Sequence, residues 1–505
     1  MMIGALGAGV WSILEHFDVG WFSSSFAGDR VGGPFEQPAY LGAGMLLVVP
    51  VCVGVAVDGE RHVLGRVTAL MAAVLGVVAL GLSQSRGAWL AFAIVAAALI
   101  IRRSMFKMGA LAVIGVGLLL AFTPVGERMQ TLTSTNEGVV AGRIDEWQVG
   151  GRALTDTPTL GITGHGPEGY RLVFGQHVDS QYVIDHGRTV ITDRAHSGLL
   201  DASLSGGLLA GLGMLLLYAG LGITGLQRLR APDPIDVALA AAVLGFLLQQ
   251  LVLFPLAELD PVLWILAGLL VARRPRHDNY RPPLFRQVSG ARRAAMLGAG
   301  LLAALSAIAG LSDIAADHAV ANAVDESDPA RALELADTAR SRRPDSIRYD
   351  FIASRIASRA GTVDAFTTAI ERLDDGLSVS PLDPALRVER AAMLLELARR
   401  TDTDADREHA RTELEALAID EPRHPRVLMT LGIARALTGD GDSSIEVLER
   451  ASSLDPGAVD PLINLAVVHL ERGELDHGRE ILDRIDEIAP GNTVAQSLRR
   501  EFLSE

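Results

Sequence analysis

The sequence predicts an all-α protein, a polytopic transmembrane helical bundle followed by a soluble α-solenoid. Two observations carry this. Of 505 residues, 49% are hydrophobic and only 21% charged, and the apolar residues are gathered into runs rather than spread evenly, as in a membrane domain. After residue 312 the composition turns to Ala, Leu, Arg, Asp and Glu with helical periodicity, and a period of 34 residues emerges toward the C-terminus.

A bilayer core needs about 20 mostly apolar residues per helix. Candidate spans lie near 39–57, 63–82, 87–101, 107–123, 197–224, 236–254, 258–272 and 294–312. The run 258–272 is short enough to be re-entrant. Residues 1–20 are apolar but interrupted by Glu15, His16 and Asp18, and they lack the basic start of a cleaved signal peptide.

Orientation follows from Lys and Arg in the short loops. Arg102, Arg103 and Lys107 fall in one loop, Arg228 and Arg230 in a second, and residues 273–293 form the most basic segment. With eight spans all three lie on one side, which the charge bias makes cytoplasmic. The large loop 124–195, the turn at Arg86 and everything after residue 312 are then expected outside the cell membrane. The membrane domain is expected over residues 1–312 and the helical domain over 313–505.

In the helical domain Pro422, Pro456 and Pro490 are spaced by 34, as are Leu431 and Leu465, Gly439 and Gly473, and Leu448 and Leu482. This is the tetratricopeptide period, helix, turn, helix. "DPARALELADTARSRRPD" and "LDPALRVERAAMLLELA" look like earlier units, the second followed by an acidic insertion at "TDTDADRE". Each helix pair buries its apolar face only on its neighbour, so the array forms a solenoid with a groove. That groove is a docking surface for a peptide or protein, or the array is an appendage that orders the membrane part.

The formal charge of −15 comes mostly from acids after Asp313, and no basic stripe points to nucleic acid. The single cysteine, Cys52, lies in an apolar run, which excludes an internal disulfide and argues against a thiolate nucleophile or a multi-cysteine metal site. A transporter is disfavoured because no span carries the buried acids expected of an ion relay.

Three polar stretches border the apolar runs. In "LSQSRGAWLAF", Arg86 is either a snorkelling anchor or a ligand-binding cation. In "AGRIDEWQVGGRAL", Arg143 and Trp147 share a helix face; the segment is an interfacial helix, with Arg143 paired to Glu146, or a binding helix. The glycines of "TLGITGHGPEGYR" offer backbone N–H groups that could approach an anion. In "DRAHSGLLDASLSGGLLAG", His196 precedes a run of small residues suited to close helix packing. An imidazole there is an interfacial group or a general base.

Taken together, "GGPFEQPAYLGAGMLLVVP", "LSQSRGAWLAF", "GRIDEWQ", "PTLGITGHGPEGYR" and "RAHSGLLDASLSGGLLAG", in this order around a large loop, resemble the O-antigen ligase and polymerase superfamily. That group also includes bacterial protein O-oligosaccharyltransferases. The resemblance covers roughly residues 25–275. It implies a metal-independent, cofactor-free glycosyl transfer on the outer membrane face, from a polyprenyl-diphosphate-linked glycan to a hydroxyl on a glycan, lipid or protein acceptor. By motif, His196 matches the family's base, and Arg86 and Arg143 match arginines that hold the diphosphate; Arg194 assists or pairs with Asp193. Bidentate guanidiniums suit a leaving group that gains negative charge. Ser197 stands where the family usually has Asn. Related proteins also carry more N-terminal spans, which implies a late start or a shortened member. The rival reading is a non-catalytic membrane scaffold whose repeats recruit cell-envelope proteins.

Overall fold

The computed structural model describes residues 1–20, 30–101, 115, 139–155, 158–166, 169–187, 192–273 and 289–503, with no strand among them. The chain divides into two compact units, residues 1–170 with 194–279 and residues 171–193 with 280–505.

The first unit contains α1 (Met2–His16), α2 (Pro38–Val57), α3 (Val63–Leu82), α4 (Arg86–Ile101), α5 (Val139–Thr155), α6 (Pro158–Thr163), the start of α7 (Gly169–His177), α9 (Gly198–Arg228), α10 (Pro234–Gln250) and α11 (Asp260–Ala272). Helices α2, α3 and α9 are long and apolar enough to cross a membrane, while α4, α10 and α11 are shorter apolar helices. The expected span 107–123 lies outside the described residues apart from Gly115, as do Arg102, Arg103 and Lys107. Leu208, Leu209, Leu212 and Leu216 of α9 are exposed, and an apolar face of this kind suits lipid rather than water. Helix contacts are close because the facing residues are small: a Cβ on Gly54 of α2 would sit 2.4 Å from Ala238 Cβ of α10.

Glu15, which interrupts the N-terminal apolar run in sequence, is an anchor. It is buried, and its two oxygens accept the Gly32 and Gly33 amides at 3.0 and 2.8 Å.

Helices α9, α10 and α11 run back and forth between two ends. At one end Arg273 Nε bonds Asp236 Oδ1 at 2.5 Å, Arg273 also pairs with Asp233, and Arg228 lies 3.6 Å from Asp236. At the other, Gln250 Nε2 donates to Asp260 Oδ1 at 3.1 Å. Helix α11 therefore runs back along α10 to the end at which α10 begins. Two acids are buried in these helices, Asp201 and Asp236, contrary to the expectation from sequence. Both sit in first turns with partners, Asp236 on arginines and Asp201 on backbone amides, as structural acids do.

The second unit holds the rest of α7, α8 (Ser180–His186), α12 (Ser289–Asp325), α13 (Pro329–Arg342), α14 (Ile347–Ala357), α15 (Val363–Val379), α16 (Pro384–Thr401), α17 (Asp404–Asp420), α18 (Pro425–Leu437), α19 (Gly441–Leu454), α20 (Asp460–Glu471), α21 (Leu475–Ile488) and α22 (Thr493–Phe502). The boundary expected at 312/313 falls inside α12, which is continuous. Its Leu301, Leu305, Ile308 and Leu311 are exposed, whereas Ala316, Ala319 and Ala323 are buried with residues of α13 and α14.

From α13 on, successive helices pack as antiparallel pairs. Gly439 and Gly473 both adopt left-handed backbone, φ 86° and 77°, at equivalent turns between paired helices, which explains their spacing in sequence. The acidic stretch after Thr401 lies where this unit is longer than the 34-residue period, 41 residues from Pro381 to Pro422, and it forms the start of α17. Thr403 caps α17 by accepting the Asp406 amide, and Asp404 and Asp406 occupy the first turn, where the helix dipole favours negative charge.

Candidate active site

His196 sits in the turn that delivers the chain into α9, and the reason is Asp201. Asp201 Oδ1 accepts the Ala195 amide at 2.8 Å and its Oδ2 the Ser197 amide at 3.3 Å, so one buried carboxylate grips the backbone on both sides of the histidine. His196 itself is forced to φ 51°, a left-handed conformation uncommon for residues with a side chain and common at functional sites. Its ring packs edge-on to Phe254 at 5.2 Å, and the Arg194 guanidinium lies 5.9 Å from the same ring. Phe254 thus holds Arg194 and His196 on one support.

The partner of His196 is Glu146 of α5. His196 Nδ1 lies 2.8 Å from Glu146 Oε2, with side-chain exposures of 24% and 14%. The two atoms are close but not lined up as donor and acceptor, and neither atom has another hydrogen-bond partner. The contact is therefore one of charge and proximity, available to a proton on Nδ1.

Arg143, one turn before Glu146, has its Nη1 buried with no hydrogen-bond partner. Burial lowers its pKa against the opposing pull of Glu146; guanidinium stays charged nonetheless. A buried cationic donor without a partner is costly, and such a group fits an anion that enters the site.

Arg86 begins α4 and is half-buried. Its neighbour Gly87 packs on the Gln249 amide, and a Cβ there would sit 2.8 Å from Gln249 Oε1; Gly198, two residues after His196, would meet Gln250 Oε1 at 3.0 Å. These adjacent glutamines, 3% and 0% exposed, end α10 and bring the Arg86 and His196 turns to the same end of the bundle. That end is opposite the Arg228 and Arg273 cluster.

In the glycine turn the amides of His165 and Gly166 are engaged within the fold. His165 N donates to Leu204 O at 2.7 Å and Gly166 N to Ser205 O at 3.0 Å. The turn docks where α9 breaks at Gly206 and Gly207, and the Tyr170 hydroxyl after it donates to the Glu146 carbonyl at 3.0 Å. Sequence spacing offers Glu146 only as a partner for Arg143 and does not single out Asp201 or the Gln249–Gln250 pair. For Asp201 the signal was present, an acid in a first helical turn beside a histidine.

All of these residues except Phe254 and the two glutamines fall in one matched segment. Residues 71–215 match the O-antigen ligase family. This O-antigen ligase domain supports a membrane glycan ligase- or polymerase-type role. Residues 435–501 match the tetratricopeptide repeat. Similar solved structures include residues 41 to the end of MamA from Desulfovibrio magneticus RS-1, 17% identical, covering 37% of this chain and 97% of that one with a TM-score of 0.31. A thermophilic tetratricopeptide protein of Thermus thermophilus is 20% identical over 37% and 97% of the two chains, also with a TM-score of 0.31. No curated protein matches the chain.

Proposed function

We propose that the protein transfers a glycan from a polyprenyl-diphosphate carrier to an acceptor hydroxyl on the extracytoplasmic membrane face. The observation that carries this reading is the approach of Glu146 to His196 one helical turn from Arg143, whose buried Nη1 has no hydrogen-bond partner. Glu146 at Nδ1 favours the tautomer with its proton there, which leaves Nε2 to take the proton of the acceptor hydroxyl. The hydroxyl oxygen then attacks the anomeric carbon, and the bond to the diphosphate breaks. Arg143, with Arg86 and Arg194, holds the leaving diphosphate as its charge grows.

The outer location draws support from the opposite end of α9–α11, where Arg228 and Arg273 gather in agreement with the positive-inside bias. In this reading the protein is multi-pass in the cell membrane with its repeats outside, and its membrane domain and repeat domain follow the division 1–312 and 313–505. The rival is a scaffold without catalysis.

The deciding experiment replaces His196→Ala and Arg143→Ala separately and scores glycan on the acceptor or its chain length, together with accumulation of lipid-linked glycan. Loss of transfer by about 10²-fold or more in the His196 variant is expected for a lost general base. Unchanged glycan in both variants would leave the scaffold.

A further inference from the structure

Residues 171–187 belong to the large loop in sequence and to the repeat unit in structure. They fold as a helical hairpin, the body of α7 followed by α8, in which Phe174, Val178, Tyr182 and Val183 are buried and the Phe174 and Tyr182 rings meet at 5.3 Å. Four contacts seat the hairpin on the turns that join successive repeat helices. Arg171 Nη2 pairs with Asp383 Oδ2 at 2.9 Å just before α16. Gln176 Nε2 donates to Asp420 Oδ1 at 3.2 Å, and Arg423 Nη1 donates to the Val178 carbonyl at 2.9 Å, both at the link from α17 to α18. Gly175 lies against the buried Glu421 carboxylate, where a Cβ would come within 2.3 Å. Helix α8 also touches α19.

These contacts differ from casual surface pairs. The Asp383 side chain is 4% exposed and already caps α16 through the Leu386 amide, so its remaining charge needs a cation, and Arg171 supplies it. The bare backbone of Gly175 is what admits Glu421 so closely.

We propose that the ligand of the repeat array is this hairpin of its own chain. The repeats grip in cis the loop that carries the site, rather than serving first as a groove for a separate protein. The hairpin is bounded by Tyr170, whose hydroxyl holds the Glu146 carbonyl, and by Arg194, two residues before His196. The Tyr170–Arg171 peptide bond ties the hairpin in chain to the residue that holds the Glu146 carbonyl. A grip of this kind also requires loop and repeats to share one side of the membrane. The effect on transfer rests on the proposed glycosyl transfer; the grip itself does not.

The test uses the full chain in membranes with Cys52→Ala. In a Gly175→Cys, Glu421→Cys variant the two Cβ atoms are within about 5 Å, close to the separation of about 3.5–4.5 Å in disulfides. A thiol oxidant is expected to link them in most molecules, detected as a cross-linked peptide by mass spectrometry; no link in folded protein overturns the proposal. Separately, Arg171→Glu sets two carboxylates together and leaves the Asp383 cap intact. It is expected to speed amide exchange across residues 171–187 about tenfold and to lower transfer about fivefold or more through misplacement of reacting groups. Adding the 175–421 disulfide restores both, and a reductant removes the rescue. Exchange that stays slow in Arg171→Glu counts against the grip, and fast exchange with undiminished transfer overturns its role at the site. If His196→Ala leaves transfer intact, the transferase reading fails, while the disulfide and exchange results still decide the grip.

Discussion

Glu146 Oε2 stands 2.8 Å from His196 Nδ1, although Glu146 belongs to α5 and His196 to the turn before α9. A carboxylate at one imidazole nitrogen fixes which nitrogen faces the substrate and stabilises the ring when it takes a proton. Glu146→Gln keeps the size and removes the charge, so transfer is expected to fall about 10- to 100-fold, less than in His196→Ala. KM for the donor should barely change. Steady-state kinetics on both substrates check this, and a comparable rise in KM would point instead to a role for Glu146 in binding.

The same histidine depends on Asp201. Two amides donate to this carboxylate, and hydrogen bonds to a charged group contribute about 1.5–3 kcal/mol each. Asp201→Ala releases the left-handed turn at His196, so catalysis should drop as steeply as in His196→Ala while donor binding persists. Asp201→Asn keeps one good acceptor and should recover part of the rate. Equal activity in the alanine and asparagine variants would contradict a positioning role.

Much of this fold is legible in the sequence because its signals are local. The 34-residue period survives as the paired left-handed glycines Gly439 and Gly473, since each turn needs that backbone regardless of its surroundings. Apolar runs become helices α2, α3 and α9 for the same reason. Motif resemblance places His196 and Arg143 in one domain. What sequence does not carry is pairing across the chain. Arg143 stands one turn from Glu146 and feels its charge, as the spacing allows, while Glu146 Oε2 also meets His196 of the turn before α9. In the glycine turn, whose amides could approach an anion, those of His165 and Gly166 bond instead to Leu204 and Ser205. Both outcomes depend on which helices meet, and neither local propensity nor spacing encodes that.

Arg143 separates a binding role from a structural one. Its Nη1 has no partner, so it contributes nothing to folding through that atom and costs some stability by its burial. Arg143→Leu should leave the thermal midpoint unchanged or slightly raised, while affinity for the diphosphate-linked donor falls by about 10-fold or more, the scale of one charged contact. Thermal shift and donor titration on one preparation read both quantities. A destabilised variant would show that Arg143 holds the fold instead.

In the repeat domain Arg340 joins three acids, with Asp350 at 2.6 Å, Asp375 at 2.6 Å and Asp337 at 3.1 Å. Burial pushes the Asp350 carboxyl up, against the lowering pull of Arg340. The folded carboxyl then keeps its proton to higher pH than the unfolded one, so stability falls as pH rises between the two values and levels off above the folded value. Amide exchange in α13 and α14, corrected for its intrinsic pH dependence, should accelerate across that interval, and Asp350→Asn should flatten the trend. Arg340→Ala strands the Asp350 charge and is expected to cost about 3 kcal/mol. An unaltered pH dependence in Asp350→Asn would assign the slope to another group.

The sharpest packing test is at the break in α9. Gly207 has φ 76°, and a Cβ there would lie 1.8 Å from Ile162 O, a backbone atom with no freedom to yield. Gly164 is equally confined, since its Cβ would meet Ser205 O at 2.4 Å. The glycine turn and the broken helix therefore fit only without side chains, and that fit sets the path of the chain toward Tyr170 and Glu146. Gly207→Ala combines about 1–3 kcal/mol of strain, in a backbone region essentially confined to glycine, with a clash that the main chain must relieve by moving. Transfer should be lost although no polar or charged group has changed, and the thermal midpoint should fall. Gly213→Ala, on the same helix with open space where its Cβ would stand, is the control and should be tolerated. Equal behaviour of the two variants would mean that the docked turn does not position the site.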